Sequence, residues 1–198
     1  MIARARLTSV LAIVVGGAIA IISSTQTWLE VTLRAGANEP LPVPGASAMP
    51  VLAPLSLAAL ALGLALTVVG RALRYVFGVL GVVIGGAVLI AAARIALEHP
   101  TDAVATVVTA STGLSGADAV ADLVGAVTGT FWPVAAAVAG LLILLGGAFA
   151  LATAHRWRSG GRRYQREPAT GHADSGSRPH DAIDAWDDLS HGDDPTAR

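Results

Sequence analysis

The stretch from Tyr75 to Ala93 reads YVFGVLGVVIGGAVLIAAA, with Arg74 before it and Arg94 after it. It contains no charged residue. A bilayer core offers no water to satisfy backbone N–H and C=O groups, so an apolar helix of about 20 residues is the simplest structure that crosses it. We therefore predict a transmembrane helix over 75–93.

Three more uncharged stretches of similar length predict three further spans. The four predicted spans are 7–22, 51–70, 75–93 and 133–154. They leave outer loops at 23–50 and 94–132 and a cytoplasmic tail at 155–198, basic over 155–166 and then acidic and disordered over 167–198. The predicted fold class is an all-α membrane protein, a four-helix transmembrane bundle with a short β-hairpin in its outer loop and a disordered C-terminal tail.

The composition agrees with this assignment. Of 198 residues, 54% are apolar and only 14% charged, against about 25% charged in an ordinary soluble domain. The net charge is -1, so no bulk positive field favours nucleic-acid binding. The absence of cysteine excludes disulfides, thiol catalysis and thiolate zinc sites. We expect no cofactor and no metal.

Arginine is concentrated on one side of the predicted spans. The flanks that carry it contain Arg4, Arg6, Arg71, Arg74, Arg156, Arg158, Arg162, Arg163 and Arg166, whereas the first outer loop has Arg34 alone. Lys and Arg collect on cytoplasmic flanks, so we expect a plasma-membrane protein with both termini in the cytoplasm. The alternative for the first span is a cleaved signal peptide, which leaves the orientation of the other spans unchanged.

Small residues recur four apart within the spans, most clearly Gly81 and Gly85 in the third. In lipid, small residues at this spacing let two helix backbones approach closely. Gly81 and Gly85 are therefore candidate helix-packing residues. Packing within one chain is the first interpretation, and homo-oligomerisation is the alternative.

The first outer loop alternates apolar and polar residues from Trp28 to Val43, with a turn-like middle, which predicts a β-hairpin. Prolines at 40, 42 and 44 would restrict its second strand to an edge. The hairpin either caps the helix ends or binds a ligand or partner. We expect Trp28, Phe131 and Trp132 to be aromatic belt residues at the membrane interface.

The second outer loop carries carboxylates. Asp118 and Asp122 lie one turn apart on a predicted helix from Ala117 to Val127, where a solvated face explains them better than a metal. Arg94, at the outer boundary of its span, has Glu98 at the i+4 position and should pair with it. Glu98, His99 and Asp102 together suggest acid/base chemistry only weakly, because no nucleophile or known motif accompanies them.

The acidic tail contains Ile183, Trp186 and Leu189 at three-residue spacing, with Asp181 placed to cap and Gly192 to end a short helix. An amphipathic helix of this kind suits a groove on a partner, so these three are candidate partner-binding residues. The alternative is an apolar cluster without function in a disordered tail.

Several segments resemble a known family. They are Trp28-Leu29-Glu30-Val31-Thr32, Arg156-Trp157 with Arg163-Tyr164, and the ending Ala185-Trp186-Asp187-Asp188-Leu189-Ser190-His191-Gly192-Asp193-Asp194-Pro195-Thr196. With them the chain resembles the actinobacterial membrane proteins associated with tryptophan-biosynthesis gene regions, although His191 stands where that pattern suggests arginine. The resemblance implies a multi-pass membrane protein and provides no activity or site residue.

Two functions follow from these observations. The first is a non-enzymatic scaffold or regulatory protein associated with tryptophan biosynthesis, anchored in the lipid bilayer and binding a cytoplasmic protein through its tail. The alternative is a small transporter or transporter subunit for tryptophan or a precursor, which with four uncharged spans would have to oligomerise. An enzyme acting through Glu98, His99 and Asp102 is a weaker third.

Overall fold

The computed structural model describes residues 2–34 and 39–156. Among these, seven helices, three strands and a final 3₁₀ turn follow one another along the chain. In order they are α1 (Ile2–Ser24), β1 (Thr27–Leu33), β2 (Leu41–Pro44), α2 (Gly45–Ala48), α3 (Leu52–Ala65), α4 (Arg71–Glu98), α5 (Thr101–Thr112), α6 (Ala117–Leu123), β3 (Val124–Gly129), α7 (Trp132–Thr153) and the turn Ala154–Arg156.

Helix α7 packs against α1 on one side and α4 on another. Two adjacent glycines of α7 face different helices: Gly146 faces α1 and Gly147 faces α4. A Cβ at Gly146 would lie 2.8 Å from Cγ1 of Ile13 on α1, and a Cβ at Gly147 would lie 2.8 Å from the backbone N of Val82 on α4. Such close approach supplies the van der Waals contact that holds helices together in lipid, where burial of apolar surface gives no driving force.

Three helical segments are long and apolar enough to cross a membrane: Ala5–Ser24, Ala72–Glu98 and Trp132–Thr153. Their outward faces are apolar, as Leu11, Val83, Ile90 and Leu145 illustrate by being well exposed. A soluble helix has a polar outer face instead. The described residues thus form a membrane protein that is mostly helical, as the sequence predicts.

The predicted second span, 51–70, contains a shorter helix than expected. Helix α3 has 14 residues, which is about 21 Å of length against a bilayer core of about 30 Å. The chain leaves the helix in turns, where the Thr67 hydroxyl donates to the Leu64 carbonyl at 2.6 Å. β-branched residues at 67–69 followed by Gly70 are poor helix formers, which explains the early end.

One end of the bundle carries a small antiparallel sheet in the order β2-β1-β3. We call this end of the bundle the sheet end. The opposite end, where α1 and α4 begin, is called the arginine-rich end. The β1–β2 pair, with Glu30 opposite Pro42, confirms the predicted hairpin, and β2 lies at an edge. Strand β3 pairs with β1 through Glu30 and Thr128. The sequence does not predict β3, and the mostly helical fold therefore carries a three-stranded sheet where a hairpin alone was expected.

The segment 94–132, predicted to be the second outer loop, is more structured than expected. Helices α5 and α6 form a pair bent by 80°. The helix expected over Ala117–Val127 stops at Leu123, whose carbonyl accepts a hydrogen bond from the Arg34 N–H at 2.9 Å. The chain continues as β3 because the edge of β1 offers backbone partners there, and a helix would leave them unpaired.

Trp28 is not a belt residue, contrary to expectation. It is fully buried, whereas Phe131 is 65% exposed. The indole Nε1 donates to the Ser23 carbonyl at 2.9 Å, and the Ser23 hydroxyl in turn donates to the Trp132 carbonyl at 3.0 Å. Trp28 therefore ties the end of α1 to β1 and to the start of α7, which explains why a large aromatic residue directly follows the first span.

Candidate functional site

The described charged groups nearest one another lie at the sheet end, around Arg94. Its Nε lies 3.2 Å from Oε2 of Glu98, which confirms the predicted pair, and its Nη2 lies 3.6 Å from Oδ2 of Asp102. The Arg94 and Asp102 side chains are 56% and 68% exposed. Exposed ion pairs contribute only about 0–1 kcal/mol. The cluster therefore links the end of α4 to the start of α5 weakly.

A cavity of about 230 Å³ lies beside this cluster, between α2, α4 and α5. Apart from Arg94 and Asp102, its walls are alanine, proline, Met49 and Ile95. It is smaller than the roughly 300–1,000 Å³ typical of small-molecule sites. Its two charged groups, Arg94 and Asp102, lie 3.6 Å apart, so they partly compensate one another.

His99 does not join the two carboxylates at Arg94. It ends α4 in the left-handed conformation, with φ of 45°, and its imidazole lies against Gly129 at the end of β3, where a side chain would collide with it. Asp118 and Asp122 are both exposed on α6. Within residues 2–34 and 39–156, no three His, Asp or Glu side chains are placed to hold a metal ion.

Gly81 and Gly85 are buried on the face of α4 that meets α7. A Cβ at Gly81 would lie 3.3 Å from Cα of Gly147. A Cβ at Gly85 would collide with the backbone N of Leu144 and lie 2.7 Å from the carbonyl oxygen of Gly140. These contacts join two helices of one chain, so this face of α4 is not open to a second copy.

Arg74 has a role that its place in the sequence does not predict. It belongs to a basic flank of a predicted span, yet only 3% of it is exposed. Its Nη1 donates to the Ala154 carbonyl and its Nη2 to the Val69 carbonyl, both at 3.3 Å. The guanidinium thus supplies donors to one carbonyl between α3 and α4 and to another directly after α7, where the last carbonyls of a helix have no donor within it. Nothing in the sequence distinguishes Arg74 from Arg71.

The candidate partner-binding residues Ile183, Trp186 and Leu189 lie outside the described residues, as do the tail segments 157–166 and 167–198. Support for this site comes from the sequence. The last helix of the described residues, α7, ends at Thr153.

Comparison with known proteins adds the family. A family model described as tryptophan-associated transmembrane protein matches residues 10–196. The chain belongs to this family. The match confirms the resemblance drawn from the sequence. It covers the described helices and continues into the acidic segment 167–198. No curated protein and no solved structure matches the chain.

Proposed function

We propose that this protein is a non-enzymatic scaffold or regulatory protein of the plasma membrane, associated with tryptophan biosynthesis, which binds a cytoplasmic protein through its tail. The observation that carries the proposal is the extent of the family match, which runs to residue 196, more than forty residues past Thr153, where the last described helix ends. The tail therefore belongs to what the family shares, and Ile183, Trp186 and Leu189 are its apolar positions with helical spacing.

A four-crossing bundle with both termini in the cytoplasm is part of this proposal. Although α3 is short, it runs beside α1 in the opposite direction, with Gly17 near Ser56 and Gly63 near Val14. Beyond α3, the Val69 carbonyl accepts a hydrogen bond from Arg74, which also donates to Ala154 after α7. The segment 51–70 thus reaches the arginine-rich end, which supports an even number of crossings.

The alternative, a small transporter for tryptophan or a precursor, drew support from glycine-lined helix faces. Gly85, Gly140 and Gly147 pack instead against backbone of the neighbouring helix. They fill the contact between α4 and α7 and line no path between them. Their role in packing favours an anchor over a carrier.

The orientation is testable with single cysteines, because the chain has none of its own. We expect Ser115→Cys, between α5 and α6, to react with a membrane-impermeant maleimide in intact cells. Ser159→Cys, among the arginines after α7, should react only after permeabilisation, since arginine-rich flanks stay in the cytoplasm. The reverse pattern of labelling would contradict the proposed topology.

The tail is testable by crosslinking in native membranes followed by affinity capture of the intact chain. Trp186→Ala combined with Leu189→Ala should lower recovery of a cytoplasmic partner about tenfold or more, because buried aromatic anchors dominate binding energy. His172→Ala with His180→Ala is the matched control, as it also truncates two tail side chains but spares the apolar positions.

Deleting residues 181–196 should have the same effect as the double substitution. Identical partner lists from the intact chain, the double variant and the deletion would reject a partner-binding tail. In that case the search for function would move to the helical part.

A further inference from the structure

A groove of about 710 Å³ runs between α1 and α7 on the outward surface of the bundle. Its floor is made by small residues, among them Ala12 and Gly146, and its walls include Leu145 and Phe149. Leu145 and Phe149 are 52% and 43% exposed. Both walls belong to segments that are apolar and long enough to span the bilayer, so the medium around the groove is lipid.

The groove lies in the half of the bundle near the arginine-rich end. On α1 it begins at Thr8, two residues after Arg6, and on α7 it reaches Ala152, shortly before His155 and Arg156. No acidic residue occurs in residues 1–29 or 123–166. Within these two stretches of sequence, the flank that adjoins the mouth of the groove is therefore positive along both helices.

We infer that this groove binds one acyl chain of an anionic phospholipid, whose headgroup lies against the positive flank next to the groove, where Arg6 precedes Thr8. The apolar walls suit the chain, and the positive flank selects the headgroup, since basic residues beside transmembrane helices attract anionic lipids. The volume is in the range of sites that bind molecules of lipid-chain size.

Charge argues against a second copy of the chain in the same place. All copies in one membrane share one orientation, so a partner seated in the groove with the same helices would bring its own Arg6 beside this one. Like charges placed together oppose association. An anionic headgroup at the same position is attracted.

The test is native mass spectrometry of the full-length protein in detergent, titrated with dioleoyl phosphatidylglycerol or dioleoyl phosphatidylcholine, which share their acyl chains. We expect the first phosphatidylglycerol to bind more tightly than the first phosphatidylcholine. Arg6→Gln should weaken phosphatidylglycerol binding about fivefold and leave phosphatidylcholine binding unchanged.

Filling the groove gives a second measurement. Ala148→Leu with Ala152→Leu enlarges two exposed residues that line it, so both lipids should bind more weakly. Ala87→Leu, at an exposed alanine of α4 away from the groove, is the matched control and should bind like the original chain. Equal affinities for the two lipids, or undiminished binding to the filled groove, would overturn the inference. A dimer that dissociates when the groove is filled would also overturn the inference, because a second copy of the chain would then be the occupant.

Discussion

Replacing Trp28 by alanine is expected to lower the free energy of unfolding by about 3–5 kcal/mol, the usual cost of removing a large buried aromatic side chain. The indole is fully buried and packs so closely on Gly45 that a Cβ there would lie 2.5 Å from its Nε1. Its loss would leave a cavity between the end of α1, β1 and the start of α2, and would remove both hydrogen bonds to Ser23.

Trp28→Phe separates these two contributions. Phenylalanine keeps most of the apolar contact and loses the N–H donor, so we expect an intermediate cost of about 1–2 kcal/mol. Phe131→Ala removes an exposed aromatic residue close by and is the control, with an expected change under about 0.5 kcal/mol. Far-UV circular dichroism during unfolding in mixed detergent and SDS micelles measures the free energy of unfolding of all three variants. Equal stabilities of Trp28→Ala and Phe131→Ala would show that the sheet end does not depend on Trp28.

Gly85→Ala and Gly86→Ala are expected to change stability in opposite directions, although they add the same methyl group to adjacent positions of one helix. At Gly85 the methyl would meet the backbone of Leu144 and the carbonyl oxygen of Gly140. Backbone cannot rotate away as a side chain can, so α4 and α7 must separate. Overpacking of this kind costs about 1–3 kcal/mol.

At Gly86 the nearest atom to an added methyl is Cδ1 of Leu144, at 3.8 Å, an ordinary contact. The substitution there should be neutral or stabilise the helix by up to about 1 kcal/mol, because glycine is a poor helix former. The same unfolding experiment compares the pair. A Gly85→Ala protein as stable as the Gly86→Ala protein would mean that α4 and α7 do not pack as described.

Features that depend on a few consecutive residues could be predicted from the sequence. The first, third and fourth spans follow from uncharged length alone, since a helix satisfies its backbone within its own segment. The pair of Arg94 with Glu98 follows from their spacing on one helix. The hairpin of β1 and β2 follows from alternation, with prolines that allow only an edge strand.

Predictions at the candidate sites had a different outcome. The spacing of Gly81 and Gly85 indicated close packing but not which helix would be the neighbour, and α7 lies more than fifty residues further along the chain. Glu98, His99 and Asp102 are near one another in sequence. In the structure, however, both carboxylates lie beside Arg94, whereas the imidazole lies against Gly129. Proximity along a chain does not fix where side chains point once a helix ends between them.

The sequence by itself determined that this protein lies in the membrane, three segments that are long enough to cross it, and the family to which it belongs. The tertiary structure alone decided that Trp28 is buried, that Arg74 binds the carbonyls of Val69 and Ala154, and that β3 completes the sheet. Membrane insertion depends on the summed apolarity of one segment, whereas these three features depend on atoms supplied by distant parts of the chain. Such atoms become neighbours only when the helices have packed.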